Sequence, residues 1–181
     1  MNDFDFDFSA NTEEIVIEAS LPLGKYIAMI DEVTANDKGT LVFKLSILED
    51  ENGDTKYAGR KVTEYKSFSP AARKYSLEAI KKMSQSVYGM TIGNKLVFKN
   101  LNDYRFTFMN RNVKISIKHE EFNGSMQPKV SSFLPRQADD AFVSANIQAR
   151  EELLADPSYQ VAKQISDAPK GSEDKIEDCP F

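Results

Sequence analysis

The chain has 181 residues, of which 41% are hydrophobic, so it holds enough apolar material for one folded core with appendages. No run of about 18 apolar residues and no basic, then apolar, leading segment occurs, so neither a membrane span nor a secretory signal is predicted. Cys179 is the only cysteine, which excludes an intramolecular disulfide and favours a reducing, cytoplasmic location.

The net charge of −5 conceals a segregation of charge along the chain. Residues 1–20 carry six acidic side chains and no basic one, which gives −6. Residues 21–136 carry 19 basic against 12 acidic side chains (+7), and residues 137–181 carry 4 against 10 (−6). A basic centre between acidic ends favours a polyanionic partner, most commonly nucleic acid. The alternative is that the basic residues only solvate a sheet surface.

The first predicted elements are an acidic N-terminal arm and three strands. The arm, residues 1–20, alternates Phe and Asp near its start, a pattern that either adds an edge strand or stays disordered. A domain predicted over residues 21–136 begins with a strand at Lys25–Val33 and a second at Leu41–Ile47, where apolar and polar residues alternate. A third strand is expected within residues 56–68, which are rich in Tyr, Val, Thr and Phe.

One helix is predicted after the third strand. Ser69 suits its N-cap, Pro70 its first position and Gly89 a left-handed C-terminal cap. An apolar stripe at helical spacing should face the core. The stripe consists of Leu77, Ile80, Met83 and Val87.

The elements that follow this helix complete the predicted fold. Residues 94–109 carry strand-forming side chains without a defined register, and residues 112–136 predict a hairpin that turns at Asn123-Gly124. The order is typical of a mainly β protein, a five-stranded OB-fold barrel with one helix between strands 3 and 4. A β-sandwich, which normally needs about seven strands, and a split α+β sheet are the alternatives.

The C-terminal part of the chain changes character. A helical extension is predicted over residues 137–165, with Asp139 or Asp140 as N-cap and a stop at Pro157. A thin apolar stripe on it either docks on the core or pairs two protomers in a homo-oligomer. The stripe consists of Phe142, Ala145, Ala149 and Leu153. Residues 166–181 have the composition of a disordered acidic tail.

Single-stranded DNA is the polyanion that best fits the predicted domain. Its binding needs a positive groove that follows the phosphates and exposed aromatic rings on which bases stack. Tyr65, Phe68 and Phe122 are candidate platforms, although aromatic residues in strands more often belong to the core. Basic residues at the polar positions of a strand point away from an apolar core. The predicted nucleic-acid-binding residues are Lys44, Arg60, Lys61, Tyr65, Lys66, Phe68, Arg73, Lys74, Lys114, Lys118, Phe122 and Lys129.

Catalysis, a cofactor or a bound metal is not expected. His119 is the only histidine and has no cysteine near it in the sequence, so it is interpreted as a polar strand residue rather than a zinc ligand. No phosphate-binding loop, dinucleotide-binding motif or nucleophile elbow occurs. The acidic residues within 49–54 surround a glycine turn and do not have calcium-loop spacing. The alternative function is a non-catalytic protein-interaction module with an OB-like barrel that does not bind DNA.

Two stretches carry a resemblance to known proteins. Residues 177–181, Glu-Asp-Cys-Pro-Phe, resemble the acidic tip Asp-Asp-Ile-Pro-Phe of bacterial and phage single-stranded-DNA-binding proteins, with Cys179 replacing the isoleucine. Residues 1–136 are similar to short phage proteins with Phe-Asp-Phe near the start, a Gly-x-Tyr strand at Gly24 and a Gly-Arg step at Gly59. Bacterial members often stack bases on tryptophan, which this chain lacks, so Phe and Tyr would take that role.

The resemblance implies an OB-fold protein that coats single-stranded DNA during phage replication or recombination in the host cytoplasm. Its tip would recruit replication or recombination proteins. Phe181 would fill an apolar pocket of the partner, while acidic side chains pair with basic groups at the rim of that pocket. The predicted partner-binding residues are Glu177, Asp178, Cys179, Pro180 and Phe181.

Overall fold

Strands form where apolar and polar residues alternate, because successive side chains of a strand point to opposite faces of the sheet. The computed structural model describes residues 20–167, with side chains described through residue 164. Five strands occur in this part of the chain: β1 at Gly24–Ala35, β2 at Leu41–Asp50, β3 at Lys61–Lys66, β4 at Arg111–Phe122 and β5 at Ser125–Phe133. The predicted hairpin turn is confirmed, since Asn123 and Gly124 have φ of 51° and 76°.

All five strands belong to one antiparallel sheet in the order β3-β2-β1-β4-β5. The register of β1 against β2 shifts twice, after Ile27 and after Ile30, and such bulges bend a strand and increase its twist. The curved sheet brings its two edge strands, β3 and β5, into contact without pairing them. Lys66 Nζ of β3 lies 5.7 Å from the ring centroid of Phe133 in β5. The sheet is therefore strongly curved, but backbone hydrogen bonds do not close it.

Four helices accompany the sheet in residues 20–167. They are α1 at Arg73–Gly93, α2 at Leu101–Phe108, α3 at Ala141–Ala155 and α4 at Pro157–Asp167. None of these helices has the length and apolar character needed to cross a membrane. Two helices, rather than the predicted one, lie between the third and fourth strands, so that part of the prediction was wrong.

The second of these helices, α2, forms within residues 94–109, whose side chains favour a strand. Asn100 accepts a hydrogen bond from the Asp103 N–H at 3.1 Å, and the Asp103 carboxylate accepts from the Asn100 N–H at 3.3 Å. This reciprocal capping box satisfies two of the N–H groups that a helix start leaves unpaired. The local cap therefore decides the structure here, and the apolar side chain of Phe108 still becomes buried.

Helix α1 differs from its predicted limits at both ends. It begins at Arg73, and the Ser69 carbonyl accepts from the N–H groups of Ala72 and Arg73 in the preceding turn, so Ser69 is not the N-cap. Gly89, with φ of 73° and ψ of 168°, interrupts the helix as only glycine does readily, and a short helical run continues to Gly93. Of the predicted stripe, Ile80, Met83 and Val87 are buried, whereas Leu77 is 48% exposed.

The core lies between the inner face of the sheet and the helices. Ala28, Ile30 and Val33 of β1 stand opposite Ile47, Leu45 and Phe43 of β2, and these side chains are almost fully buried. Phe43 meets Phe108 of α2 edge to face, with ring centroids 5.9 Å apart. Arg105 of α2 also donates through Nε to the Val33 carbonyl at 3.0 Å, which holds α2 against β1.

Side chains from two helices form hydrogen bonds with the part of β4 that has no β5 residue beside it. Ser86 of α1 accepts from the Lys114 N–H at 2.8 Å and donates to the Lys114 carbonyl at 3.2 Å. Asn146 of α3 accepts from the Asn112 N–H at 3.0 Å and donates to the carbonyls of Asn112 at 2.8 Å and Val87 at 2.9 Å. These contacts supply partners for the Lys114 N–H and for both backbone groups of Asn112, while the Lys114 carbonyl also accepts from the Leu134 N–H at 2.9 Å.

The docking face of α3 is therefore not the predicted apolar stripe. Val143 and Asn146 are its buried residues, while Ala145 of the stripe is exposed, so the stripe is not the face that docks on the core. The alternative that the stripe pairs two protomers stays a prediction. The N-cap prediction is confirmed for Asp140, whose carboxylate accepts from the Phe142 N–H at 2.9 Å. Pro157 ends α3 as predicted, but it also begins α4.

Replacing Asn146 should test how much this side-chain pairing stabilises the fold. We expect Asn146→Ala to lower the free energy of unfolding by about 2–4 kcal/mol, because three buried backbone groups lose their partner. Urea denaturation measures this change. Ser144→Ala, at an exposed site of the same helix, is the matched control and should change stability by less than about 0.5 kcal/mol. Equal stability of the two variants would contradict the assigned role.

Candidate nucleic-acid interface

The face of the sheet opposite the core carries an exposed aromatic ring among lysines. Register places Tyr65 of β3 beside Val42 of β2, and Thr63 beside Lys44, all pointing away from the core. The Tyr65 side chain is 62% exposed and lies within electrostatic range of the Lys44 amine. We call this surface the outer face. Its members in β2, β3 and β4 are Lys44, Lys61, Thr63, Tyr65, Lys118, Glu120 and Phe122.

Acidic residues of β1 neutralise the two lysines next to Tyr65. Lys44 Nζ lies 2.6 Å from the Glu32 carboxylate, and this hydrogen bond raises the pKa of Lys44. Lys61 Nζ lies 2.9 Å from Asp31 Oδ2, which also accepts from the Ser46 hydroxyl. Both acids sit at the second bulge of β1, where the register shifts between Ile30 and Glu32. The bulge therefore turns two carboxylates toward the lysines.

A second ion-paired group lies on the β4–β5 hairpin. The Glu120 carboxylate lies 2.6 Å from Lys129 Nζ and 3.8 Å from Lys118 Nζ. The hydrogen bond from Lys129, followed by the charge of Lys118, lowers the pKa of Glu120, and the same bond raises the pKa of Lys129. Phe122, two residues beyond Glu120 at the hairpin tip, is 62% exposed. The hairpin thus presents one aromatic ring beside a partly neutralised basic pair.

Two of the predicted binding residues lie away from the outer face. Lys66 points to the inner side of the sheet, where its amine pairs with the buried Glu64 carboxylate and its side chain is only 14% exposed. Phe68 is partly buried against the core cluster and is therefore not a free stacking platform. Lys66 points inward because it follows the exposed Tyr65 in β3, and successive side chains of a strand point to opposite faces.

Three of the remaining predicted basic residues lie outside the strands, and the fourth, Lys114, adds to the outer face because it alternates with the buried Val113 and Ile115 on β4. Arg60 precedes β3, is partly buried and has its Cζ 5.9 Å from the Tyr57 ring centroid. Arg73 and Lys74 are exposed in the first turn of α1, and Lys114 is partly exposed on β4. None of these last three forms an ion pair with an acidic residue of the described chain.

Sequence reasoning missed the acidic members of the surface. Glu120 was detectable, because it follows Lys118 by two residues in a strand and must share its face. Glu32 and Asp31 were not, because their approach to Lys44 and Lys61 depends on the β1–β2 register and its bulge. The basic segment therefore presents less uncompensated charge on the outer face than its composition indicates.

The single histidine has a structural contact in the described part of the chain. His119 Nε2 forms a hydrogen bond with the Leu21 carbonyl at 2.7 Å, which ties β4 to the segment before β1. Among the side chains of residues 20–164, no three His, Cys, Asp or Glu converge as they would around a metal ion. The outer face thus combines amines, partly paired with acids, and an exposed aromatic ring.

Comparison with known proteins places the chain in a family. The family model described as "Protein of unknown function (DUF669)" matches residues 4–162, which span the sheet, α1, α2 and α3. The chain belongs to the DUF669 family. No curated protein matches it significantly. The DUF669 match ends before residues 177–181, and the predictions for those residues and for residues 1–19 lie outside the described part of the chain.

Proposed function

We propose that this DUF669 protein binds single-stranded DNA without sequence preference through the outer face. The observation that carries the proposal is the Tyr65 ring, 62% exposed on a sheet surface that also presents Lys44 and Lys61. Nucleobases stack on aromatic rings without regard to base identity, and amines near such a ring can contact the phosphates of the same strand.

We infer that the sheet is a variant of the OB-fold, in which oligonucleotides bind across one face of a five-stranded Greek-key barrel. The strand order β3-β2-β1-β4-β5, with β3 against β5, agrees with such a barrel opened at one seam. Helix α1 follows β3 and lies near β4 and β5. The helix in an OB-fold sits at the corresponding point of the chain, so connectivity and contacts support the same assignment.

The proposed mechanism exchanges internal ion pairs for phosphate contacts. A phosphate approaching Lys44 competes with the Glu32 carboxylate, and the same exchange operates at Lys129 with Glu120. Exposed ion pairs of this kind contribute only about 0–1 kcal/mol, so phosphates can displace the acids at small cost. Bases then stack on Tyr65 and on Phe122, at the two ends of the outer face. Affinity should be moderate and sensitive to salt.

We also propose that residues 177–181 recruit proteins of DNA replication or recombination. The support is the resemblance of Glu-Asp-Cys-Pro-Phe to the tip of single-stranded-DNA-binding proteins. Phe181→Ala should abolish capture of such proteins in a pull-down while leaving DNA binding intact. Equal capture by the variant and by the full natural chain would contradict this role.

Oligo(dT) binding tests the main proposal. Tyr65→Ala should weaken binding about tenfold, because one base–aromatic stack is lost, and Tyr65→Phe should retain binding. The logarithm of affinity should fall with the logarithm of salt concentration by about 0.7 per phosphate contact. Fluorescence anisotropy measures both effects, with Val97→Ala, at an exposed loop site, as the control. Absence of binding at low salt would favour the non-DNA interaction module instead, and equal affinity for duplex DNA would contradict a preference for single strands.

Removing one competing acid should strengthen DNA binding. Glu32→Gln frees Lys44 while keeping the shape of the side chain, and we expect oligo(dT) affinity at low salt to rise about two- to fivefold. Glu151→Gln, at an exposed site on α3, removes the same charge away from the outer face. Equal gains from both variants would show that net charge alone acts, and no gain from Glu32→Gln would contradict the exchange mechanism.

A further inference from the structure

A cleft of about 300 Å³ lies at the seam where β3 meets β5, beside the N-terminal half of α1. One wall is the inner side of β3, another is the β5 segment that ends at Phe133, and the third is α1. Tyr75, Ala79 and Lys82 project from α1 at helical spacing along that third wall. The cleft exists because the edge strands touch without pairing, so no backbone ladder fills the seam.

A buried carboxylate with one unpaired oxygen faces this cleft. Glu64 is 5% exposed, and one of its oxygens pairs with the Lys66 amine. The other oxygen, Oε2, is buried and has no hydrogen-bond partner among the described residues. Buried carboxylate oxygens normally accept hydrogen bonds, and leaving one unpaired costs about 1–3 kcal/mol or more. A donor that reached this oxygen from the cleft would supply the missing hydrogen bond.

The charges around the cleft favour a neutral ligand. Glu64 pairs with Lys66 at its floor, and Glu78 pairs with Lys82 at 3.3 Å on the helix wall, so each charge has an internal partner. The rim carries the Tyr75 side chain, 73% exposed, and the opposite wall carries apolar Phe133. A flat molecule with a hydrogen-bond donor on its edge and apolar faces suits this combination, and these are the properties of a nucleobase.

The cleft also adjoins the surface assigned to DNA. Lys129 of β5 lies within electrostatic range of the Glu64 carboxylate, and its amine belongs to the ion-paired group of the hairpin. Tyr65 of the outer face is the chain neighbour of both Glu64 and Lys66. Because Glu64 and Lys66 point to the opposite face of β3 from Tyr65, a strand bound on the outer face would reach the cleft by turning over the edge of β3 that faces β5.

We propose that the cleft takes one base of a bound single strand, with an N–H of the base donating to Glu64 Oε2 and the ring lying against Tyr75. This inference rests on the proposed DNA binding and adds a second kind of contact to it. Stacking on Tyr65 does not depend on which hydrogen-bonding groups the edge of the base carries. Binding in the cleft requires a hydrogen-bond donor on that edge. Thymine has a single ring donor, N3–H, so it provides a sharp probe.

The test compares oligo(dT) with the same oligomer carrying N3-methylthymine, which has lost that donor. The natural protein should bind the methylated oligomer about tenfold more weakly, the loss expected when a hydrogen bond to a charged group is removed. In the double variant Glu64→Leu, Lys66→Met the two oligomers should bind within about twofold of each other. Replacing a buried ion pair by apolar residues of similar volume is often neutral for folding, so this variant is expected to fold.

A second variant blocks the cleft without changing any charge. Ala79→Leu should weaken oligo(dT) binding about three- to tenfold and remove the effect of methylation, because the larger side chain occupies the space of the base. Ala145→Leu, an exposed site on α3, is the matched control and should behave like the natural protein. Circular dichroism verifies that both variants fold.

The outcomes separate this inference from the proposed function. If the natural protein binds oligo(dT) and its methylated form equally, or if Ala79→Leu matches Ala145→Leu, the cleft is not a base site and only the outer face binds DNA. If the natural protein binds neither oligomer at low salt, the proposed function itself is wrong and the inference is overturned with it.

Discussion

The arrangement of the molecule depends on how the open edge of β4 is satisfied. Before Ile115 this strand has no β5 residue beside it, so the N–H and carbonyl of Asn112 and the N–H of Lys114 need other partners, whereas the Lys114 carbonyl accepts from the Leu134 N–H. Ser86 and Asn146 supply the missing donors and acceptors, so they hold α1 and α3 at one position on the sheet. Because α1 is held there, its N-terminal half lies over the seam between β3 and β5 and forms a wall of the cleft.

One local feature, a bulge in β1, affects both the curvature of the sheet and the ion pairing of its lysines. The second bulge in β1 bends the strand and, at the same place, turns Asp31 and Glu32 toward Lys61 and Lys44. The bending brings β3 toward β5, while the turned carboxylates hold the lysines of the outer face in internal ion pairs. In the proposed function, a polyanion would meet amines that are already ordered but weakly held, which would favour reversible binding over tight binding.

The strands were predictable because their signal is local. Alternation in Leu41–Ile47 and the positive-φ turn at Asn123-Gly124 require no knowledge of distant residues. Helix α2 was missed because a capping box at Asn100 outweighed the strand propensity of the residues that follow it. The buried side of α3 was missed because Asn146, a polar residue, docks there, and an apolar stripe cannot reveal a polar contact with a strand edge.

The sequence by itself determined the segments that form the five strands and the segregation of basic from acidic residues. It left open whether Tyr65 is exposed, because aromatic residues in strands often belong to the core. It could not determine which lysines carry free charge, because Glu32 approaches Lys44 only through strand register. Nor could it show that Glu64 is buried with a free oxygen at a cleft. Both facts arise from contacts between segments distant along the chain, and only the tertiary structure brings those segments together.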